Sequence, residues 1–183
     1  MKKVSFSDTE PFWKRPERVV LAVALKPDGN GNIITLGWKM RTSFKPPMFA
    51  VSVGKTRYSH DLIARNREFV LAFPGESAAK DVLYCGTHSG RSVDKFAGTS
   101  FTPIDASIVK APLIRECVAN FECRVAGSMD TGDHTIFAGE VVACWLSDSP
   151  GRILLSIGDE NGCLQLAKGS SHTLGVISPG QAR

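Results

Sequence analysis

The sequence lacks long apolar runs, export signals and metal-binding patterns. Its longest apolar run covers residues 19–25, whereas a membrane-spanning helix needs about 20 apolar residues. No apolar stretch follows Met1-Lys2-Lys3, which argues against a signal peptide. The five cysteines include no Cys-x-x-Cys pair, and the four histidines have no zinc-binding spacing. These absences predict a cytoplasmic protein with no membrane segment, no disulfide framework and no metal site.

Several nucleotide-binding and hydrolase motifs are also missing. There is no Gly-x-Gly-x-x-Gly, so a Rossmann cofactor site is not expected, and no Gly-x-Ser-x-Gly elbow of a serine hydrolase. Gly54-Lys55-Thr56 is similar to the end of a P-loop, but Phe49 stands where that loop requires glycine. The net charge of +4 is modest, and its lysines and arginines form no run of five. Nucleic-acid binding is therefore a distant alternative, since such proteins concentrate their basic residues.

The pattern that is present indicates a mostly β protein. A length of 183 residues suits a single domain over 1–183, with its core at about 15–160. Apolar runs bounded by turn formers predict strands, and a serine before an apolar stretch predicts a helix N-cap at Ser59. Strands are expected over 19–25, 33–40, 48–53, 69–73, 117–125, 134–146 and 153–157. Helices are expected over 59–67 and 77–84, the second ending near Gly86.

Two features refine this expectation. Residues 117–125 alternate apolar and polar, which is typical of a strand with one buried face. The turn at 128–133 then predicts a long antiparallel hairpin. Because long hydrophobic hairpins expose sheet edges unless the sheet closes, a barrel is favoured over a sandwich. The tail at 179–183 is expected to be loose.

Four segments carry candidate chemistry. Gly132-Asp133 delivers His134 onto the first position of an apolar strand, at the rim of the sheet. Taken alone, this histidine is more often a structural one. The segment 32–38 offers a hydroxyl at Thr35, close backbone approach at Gly37 and the broad ring of Trp38.

The other two segments suit an anion. Residues 52–59 end a strand and begin a helix, whose free amides and partial positive charge attract phosphate. Arg57 adds a planar cation, and Ser59 can act as a cap and a ligand at once. Residues 89–96 combine hydroxyls, a glycine and two cations, which suits a loop over an anion or simply a solvated loop.

These segments, in this order, resemble the flavin reductase-like, FMN-binding split-barrel family, and especially its flavoredoxin branch. The resemblance covers about 19–145 and depends on their joint order and spacing. The motifs that carry it are Asn32-x-x-Thr35-x-Gly37-Trp38, Ser43-x-x-Pro46-Pro47, Arg57-x-Ser59, Ser89-Gly90-Arg91-x-x-Asp94-Lys95-Phe96 and Gly132-Asp133-His134.

The resemblance implies a split β-barrel homodimer that binds FMN noncovalently near the subunit interface. The residues it assigns to the flavin and ribityl chain are Asn32, Thr35, Gly37 and Trp38, with Ser52 and Val53 near the ring. It assigns the phosphate to Arg57, Ser59 and Lys95, and loop closure to Ser89, Gly90 and Arg91. His134 resembles the family histidine near the flavin or nicotinamide, which makes it the candidate catalytic residue.

The predicted function is therefore an FMN-dependent oxidoreductase, with NAD(P)H as electron donor and free flavin or a protein as acceptor. The alternative within the family is a flavoredoxin-type electron carrier that does not turn over nicotinamide. A non-enzymatic barrel for haem or another anion is a third possibility. The chemistry of FMN agrees with the first two, since a cationic helix start suits its phosphate and Trp38 suits its ring.

Overall fold

The computed structural model describes residues 3–14, 16–156, 163–168 and 173–178. The chain forms two compact units, one of residues 1–18 with 155–183 and the other of residues 19–154. Within the described residues no helix combines the length and the apolarity needed to cross a membrane. The single-domain expectation stays a prediction.

The larger unit holds most of the secondary structure. Its helices are α2 (Tyr58–Asn66) and α3 (Ala79–Thr87). A 3-10 turn at Glu76–Ala78 directly precedes α3. Its strands are β2 (Val20–Leu25), β3 (Gly31–Leu36), β4 (Lys39–Phe44), β5 (Pro47–Gly54), β6 (Glu68–Pro74), β7 (Pro103–Ile104), β8 (Leu113–Ile114), β9 (Cys117–Thr131) and β10 (His134–Leu146).

The smaller unit contains a short helix and short strands. These are a 3-10 turn at Ser7–Thr9, helix α1 (Glu10–Trp13), and strands β1 (Glu17–Arg18), β11 (Leu155–Ser156), β12 (Cys163–Lys168) and β13 (Thr173–Ser178). Strand β1 pairs with β11, and β12 pairs with β13, both antiparallel. The predicted loose tail at 179–183 lies outside the described residues.

Seven antiparallel strands form the main sheet, in the order β3-β2-β6-β9-β10-β5-β4. Hydrophobic side chains fill both of its faces. One cluster includes Leu21, Val70 and Ile114 and lies beneath α3. The other includes Val51, Phe69 and Phe137 and packs against Leu62 and Ile63 of α2. The mostly β prediction is confirmed.

Three strand predictions were wrong in their bounds. The strand predicted over 33–40 is two strands, because the chain breaks at Gly37-Trp38 between β3 and β4. Strand β9 continues to Thr131, so the predicted turn at 128–133 shrinks to Gly132-Asp133. Gly132 has φ +65°, the left-handed conformation that a two-residue hairpin turn requires. The last predicted strand, over 153–157, is reduced to β11, and residue 157 lies outside the described residues.

The exposed face predicted for 117–125 is also corrected. Asn120 is 6% exposed and Glu122 is fully buried, although the alternating pattern places both on the polar face. Both side chains are paired instead of solvated. Asn120 exchanges two hydrogen bonds with the backbone of Ile114, and Glu122 accepts hydrogen bonds from the loop at 107–109.

The predicted helix ends shift for local reasons. Helix α2 begins at Tyr58, and its N-cap residue is Arg57, which has an extended backbone. The hydroxyl of Ser59 is taken by a long-range hydrogen bond and does not cap the helix. Helix α3 runs past Gly86 to Thr87 and ends where His88 adopts an extended conformation.

Candidate functional site

His134 is the first residue of β10 and lies against Trp38. The two ring centroids are 4.8 Å apart, and the planes are inclined by 42°. His134 Nδ1 lies 2.7 Å from Asp133 Oδ1, and this hydrogen bond is the main cause that lowers the pKa of Asp133. Because an ionised carboxylate only accepts hydrogen bonds, Nδ1 carries the hydrogen. In the neutral ring Nε2 is then the nitrogen that can accept a proton.

Trp38 also forms one wall of an apolar pocket. The pocket has a volume of about 240 Å³ and is lined by Trp38, Lys39, Met40, Ala50, Ser52 and Ile136. Register explains the lining, since Met40 pairs with Ala50 and Ser52 pairs with Ile136 on neighbouring strands. The Ser52 amide donates to the Trp38 carbonyl at 2.9 Å, which fixes the chain where β3 gives way to β4.

Gly54 connects this pocket to the start of α2. It is paired with His134 across β5 and β10. A Cβ atom at Gly54 would lie 3.4 Å from His134 Nε2 and 3.5 Å from Arg57 Cγ. The Arg57 amide donates to the Gly54 carbonyl at 2.9 Å and so turns the chain into α2. The histidine, the arginine and the helix start therefore lie side by side.

Asn32, Ser59 and Gly90 meet in a buried polar contact. Asn32 Nδ2 donates to Ser59 Oγ at 2.8 Å, and both residues are nearly inaccessible to solvent. Asn32 Oδ1 is buried and has no hydrogen-bond partner in the described part of the chain. A Cβ atom at Gly90 would lie only 1.7 Å from that oxygen, so position 90 requires glycine. An unpartnered buried carbonyl is uncommon in folded proteins and fits a ligand that donates a hydrogen bond.

Lys95 is buried rather than solvated, being 4% exposed. Its Nζ donates to the carbonyls of Ile33 at 2.7 Å and Cys85 at 2.6 Å. Burial lowers the pKa of Lys95, and the nearby charge of Arg57 lowers it further, while the Cys85 thiol opposes the change. An ammonium group has three donors, and these two carbonyls occupy two of them.

Arg91 ties its loop to α2. Its guanidinium forms an ion pair with Asp61 and lies over the ring of Tyr58, 4.9 Å from the centroid. Both partners belong to the first turn of the helix that begins beside Arg57. Ser89 and Gly90 precede Arg91 in the same turn, where the Arg91 amide donates to Ser89 Oγ at 3.3 Å.

Other predicted side chains lie away from this group. Thr35 Oγ1 donates to the Val82 carbonyl at 2.6 Å and so anchors α3 to β3. The side chain of Val53 is part of the core, and its neighbour Ser52 is the residue that lines the pocket. Gly37 sits in the short connection between β3 and β4, where its carbonyl accepts the amide of Lys39 at 3.0 Å.

Sequence reasoning missed four residues that support the site. His60 Nε2 lies 2.9 Å from Thr135 Oγ1, and Thr135 Oγ1 donates to Asp130 Oδ1 at 2.8 Å. Asp130 also pairs with Lys55 at 3.2 Å. A signal was available for Thr135, because the period of two along β10 places this polar residue on the inward face. Nothing in the local sequence pairs His60 with it, since they are 75 residues apart.

The contacts form one continuous band across the larger unit. It runs from the pocket through Trp38, His134 and Arg57 to Ser59 and the loop at 89–95. One end is apolar and aromatic, and the other is cationic. A split antiparallel barrel with such a band belongs to the class of flavin-binding split-barrel proteins.

The chain belongs to the flavin reductase like domain family, whose model matches residues 14–160. An uncharacterised protein of Archaeoglobus fulgidus is 43% identical over 111 residues, which are 61% of this chain and 63% of the relative. An NADH-dependent flavin reductase, StyB, of Pseudomonas fluorescens is 33% identical over 102 residues, 56% of this chain and 55% of that protein. The chain thus spans less than two thirds of the length of either relative.

Solved structures support the same family. The flavoredoxin of Methanosarcina acetivorans has a TM-score of 0.72 and 28% identity, covering 100% of this chain and 95% of its own. An FMN-binding protein of Thermus thermophilus has a TM-score of 0.75 and 26% identity, covering 87% and 93%. The predicted family, its flavoredoxin branch and the split-barrel fold are confirmed. A flavin cofactor is supported at the level of the family.

Proposed function

We propose that this protein is an FMN-dependent oxidoreductase that takes electrons from NADH or NADPH and passes them to free flavin or to a protein acceptor. The observation that carries the proposal is the continuous band of contacts from an apolar pocket to a cationic helix start. FMN has the same polarity, with a flat apolar ring at one end and a phosphate at the other. Membership of the flavin reductase-like family agrees with this assignment.

The apolar end suits the isoalloxazine ring. The pocket of about 240 Å³ offers Trp38 as an aromatic wall and Met40, Ala50 and Ile136 as apolar contacts. Ser52 adds a hydroxyl there, and the backbone near Val53 adds polar groups for the ring edge. Few polar groups in an apolar cleft are typical of cofactor sites, because the apolar area binds and the polar groups orient.

The cationic end suits the phosphate and the ribityl chain. Arg57 lies at the start of α2, where free amides and the helix dipole favour an anion. Lys95 keeps one ammonium donor beyond its two bonds to backbone carbonyls among the described residues. The unpartnered Asn32 Oδ1 accepts hydrogen bonds and therefore fits a ribityl hydroxyl. Ser89, Gly90 and Arg91 form the loop that closes over this end.

When bound, FMN supplies the hydride chemistry. The residues of this chain supply position and charge. Trp38 forms one wall of the pocket and His134 lies against Trp38. The Asp133 carboxylate fixes the His134 ring so that Nε2 can hold or release a proton. Arg57 and Lys95 place positive charge in the band, which stabilises an anionic ligand.

A homodimer is the proposed assembly. The outer face of the sheet near the pocket exposes Trp38, Met40, Phe44 and Met129, at 54%, 57%, 76% and 60% of their areas. Apolar side chains grouped at this density usually mark an interface. We propose a cytoplasmic location, in which the thiols of Cys85, Cys117, Cys123 and Cys144 stay free, as they are in the structure.

The test begins with colour and cofactor identity. Purified protein should be yellow and should release FMN on denaturation, or should take up FMN when titrated with it. Rapid oxidation of NADH or NADPH in the presence of excess flavin would establish the reductase activity. Failure of the protein to retain or take up FMN would refute the proposal.

A flavoredoxin-type electron carrier is the second candidate. The observation that favours it is the likeness to the Methanosarcina flavoredoxin over the whole chain. A carrier should bind FMN and be reduced by dithionite or redox mediators, yet oxidise neither nicotinamide at a rate above that of free flavin. The same assay therefore separates the two functions.

A further inference from the structure

His60 lies in the first turn of α2, and the proposed contacts with FMN give it no role. Its ring packs against Phe137 at 5.4 Å between centroids, and its side chain is 18% exposed. One nitrogen, Nε2, contacts Thr135 Oγ1 at 2.9 Å. The other, Nδ1, is buried without a hydrogen-bond partner in the described chain, and Asp61 Oδ1 lies 3.6 Å from it, beyond hydrogen-bond distance. A histidine held this way has one hydrogen bond that fixes its orientation.

The direction of that hydrogen bond follows from its neighbour. A hydroxyl has a single hydrogen, and Thr135 donates it to the carboxylate of Asp130 at 2.8 Å. Thr135 must then accept from His60, so Nε2 carries the hydrogen. The chain of donors runs from His60 to Thr135 to Asp130. Lys55 pairs with Asp130 at 3.2 Å and holds its far end.

This chain of hydrogen bonds lies beside the turn that leads to His134. Asp130 and Thr135 face each other across the hairpin, one residue pair away from the Thr131 and His134 pair that adjoins the Gly132-Asp133 turn. The Lys55 amide also donates to the Asp133 carbonyl at 2.9 Å. The hairpin is otherwise exposed at its tip. The ladder with β5 holds one side of the hairpin end, and the contact between His60 and Thr135 ties it directly to α2.

We infer that His60 is a positioning residue: through Thr135 it fixes the hairpin end that presents His134 to Trp38. The inference deepens the proposed function, because it assigns a role in the same site, and its structural part is testable without flavin. The hydrogen bond of His60 goes to Thr135, which is not a lining residue of the pocket, so His60 acts through the hairpin. Losing the hydrogen bond should loosen the stack of His134 on Trp38 while the core remains intact.

The test uses 5-fluorotryptophan in place of the three tryptophans and fluorine NMR of the flavin-free protein. The Trp38 resonance is assigned with Trp38→Phe. His60→Phe keeps a ring against Phe137 but removes the donor, whereas His60→Gln keeps an N–H near the position of Nε2. Thr135→Val removes the partner hydroxyl at nearly constant volume. We expect His60→Phe and Thr135→Val to shift or broaden the Trp38 resonance alike and His60→Gln to retain the wild-type signal.

Two further results complete the design. The double variant should move the Trp38 resonance no further than Thr135→Val alone, since Thr135→Val already removes the bond to His60 along with the bond to Asp130. Ser100→Ala, which removes an exposed hydrogen bond to Asp81 away from the hairpin, is the matched control and should leave the resonance in place. In His60→Phe and in Thr135→Val the affinity for FMN should fall about two- to tenfold, which is the effect of losing one hydrogen bond.

An unmoved Trp38 resonance in folded His60→Phe or Thr135→Val protein would overturn the inference. So would an equal shift in Ser100→Ala, or failure of His60→Gln to restore the signal, since each would indicate general loosening. If His60→Phe does not fold, Thr135→Val decides alone. Failure of the wild-type protein to bind FMN would refute the proposed function and leave the fluorine result standing.

Discussion

Glu122 is a buried carboxylate whose replacement should destabilise the protein by a calculable amount. It is fully buried in β9 and accepts hydrogen bonds from the amides of Ser107, Ile108 and Val109, from Ser107 Oγ and from Trp145 Nε1, all at 2.7 to 2.9 Å. Burial alone would raise the pKa of Glu122. The hydrogen bonds outweigh it and lower the pKa from 4.5 to about 2.

The lowered pKa of Glu122 corresponds to a contribution to the free energy of unfolding. The difference of about 2.5 between the two pKa values corresponds to about 3 kcal/mol, since one pKa unit equals about 1.4 kcal/mol. The folded state prefers the ionised form, so the contribution is complete above pH 4.5 and is lost as the pH falls through about 2. In Glu122→Gln an NH₂ group must face backbone donors. We expect a loss of about 3 kcal/mol in the free energy of unfolding at pH 7.

Urea unfolding of the wild type and of Glu122→Gln between pH 7 and pH 2 checks this. The difference in unfolding free energy should be largest at neutral pH and should shrink below pH 4.5, because only the wild type loses an ionised Glu122. Glu116→Gln is the matched control. Glu116 accepts one amide hydrogen bond, from Thr102 at 2.8 Å, in an exposed position, and its replacement should cost under about 1 kcal/mol. A pH-independent difference, or equal losses in the two variants, would refute the reasoning.

Three further changes test the site. Lys95→Met should weaken FMN binding more than tenfold in an equilibrium titration, since it removes a buried cation. Lys110→Met, which changes an exposed lysine, should leave the affinity unchanged. Equal affinities of the two variants for FMN would remove Lys95 from the site. Gly90→Ala should abolish FMN binding and lower the Tm, because a Cβ atom at position 90 has no room. Gly127→Ala is the control and should leave FMN binding and the Tm nearly unchanged, because a Cβ atom there has nothing within 4 Å. Wild-type FMN binding and Tm in Gly90→Ala would contradict the packing. Trp38→Ala should leave the Tm nearly unchanged, as the ring is 54% exposed, but should reduce FMN affinity in the same titration; unchanged affinity would place the ring elsewhere.

Local patterns predicted those strands whose ends carry strong turn signals. Strand β10 has the predicted bounds, His134–Leu146, because a Gly-Asp turn precedes a mostly apolar segment. Polar residues inside a strand were predicted poorly. The period of two predicts that Asn120 and Glu122 face solvent, yet both are buried: Asn120 is paired with Ile114 of β8, and Glu122 is paired with the loop at 107–109. Burial of a polar side chain depends on what the rest of the chain brings to it, and the period of two contains no such information.

The site shows the same limit. Most of its predicted members came from the order of separate motifs, and the sequence could not show which of them touch. The first turn of α2 makes most of these connections. Successive residues of a helix point about 100° apart, so neighbours in sequence reach different segments. Ser59 contacts Asn32 of β3, His60 contacts Thr135 of β10, and Asp61 holds Arg91 of the loop.

This arrangement explains why Ser59 does not cap the helix. A capping serine would direct its hydroxyl to the backbone of its own helix, and the Asn32 amide would then lose its buried acceptor. Arg57 has an extended backbone and is the N-cap residue, so the helix begins at Tyr58 and Ser59 lies inside its first turn. Three consecutive side chains are thereby free for long-range bonds. All three bonds begin within one helical turn, so a shift of this turn would act on the hairpin end, β3 and the loop at 89–95 together. The geometry of the whole band therefore depends on the start of α2.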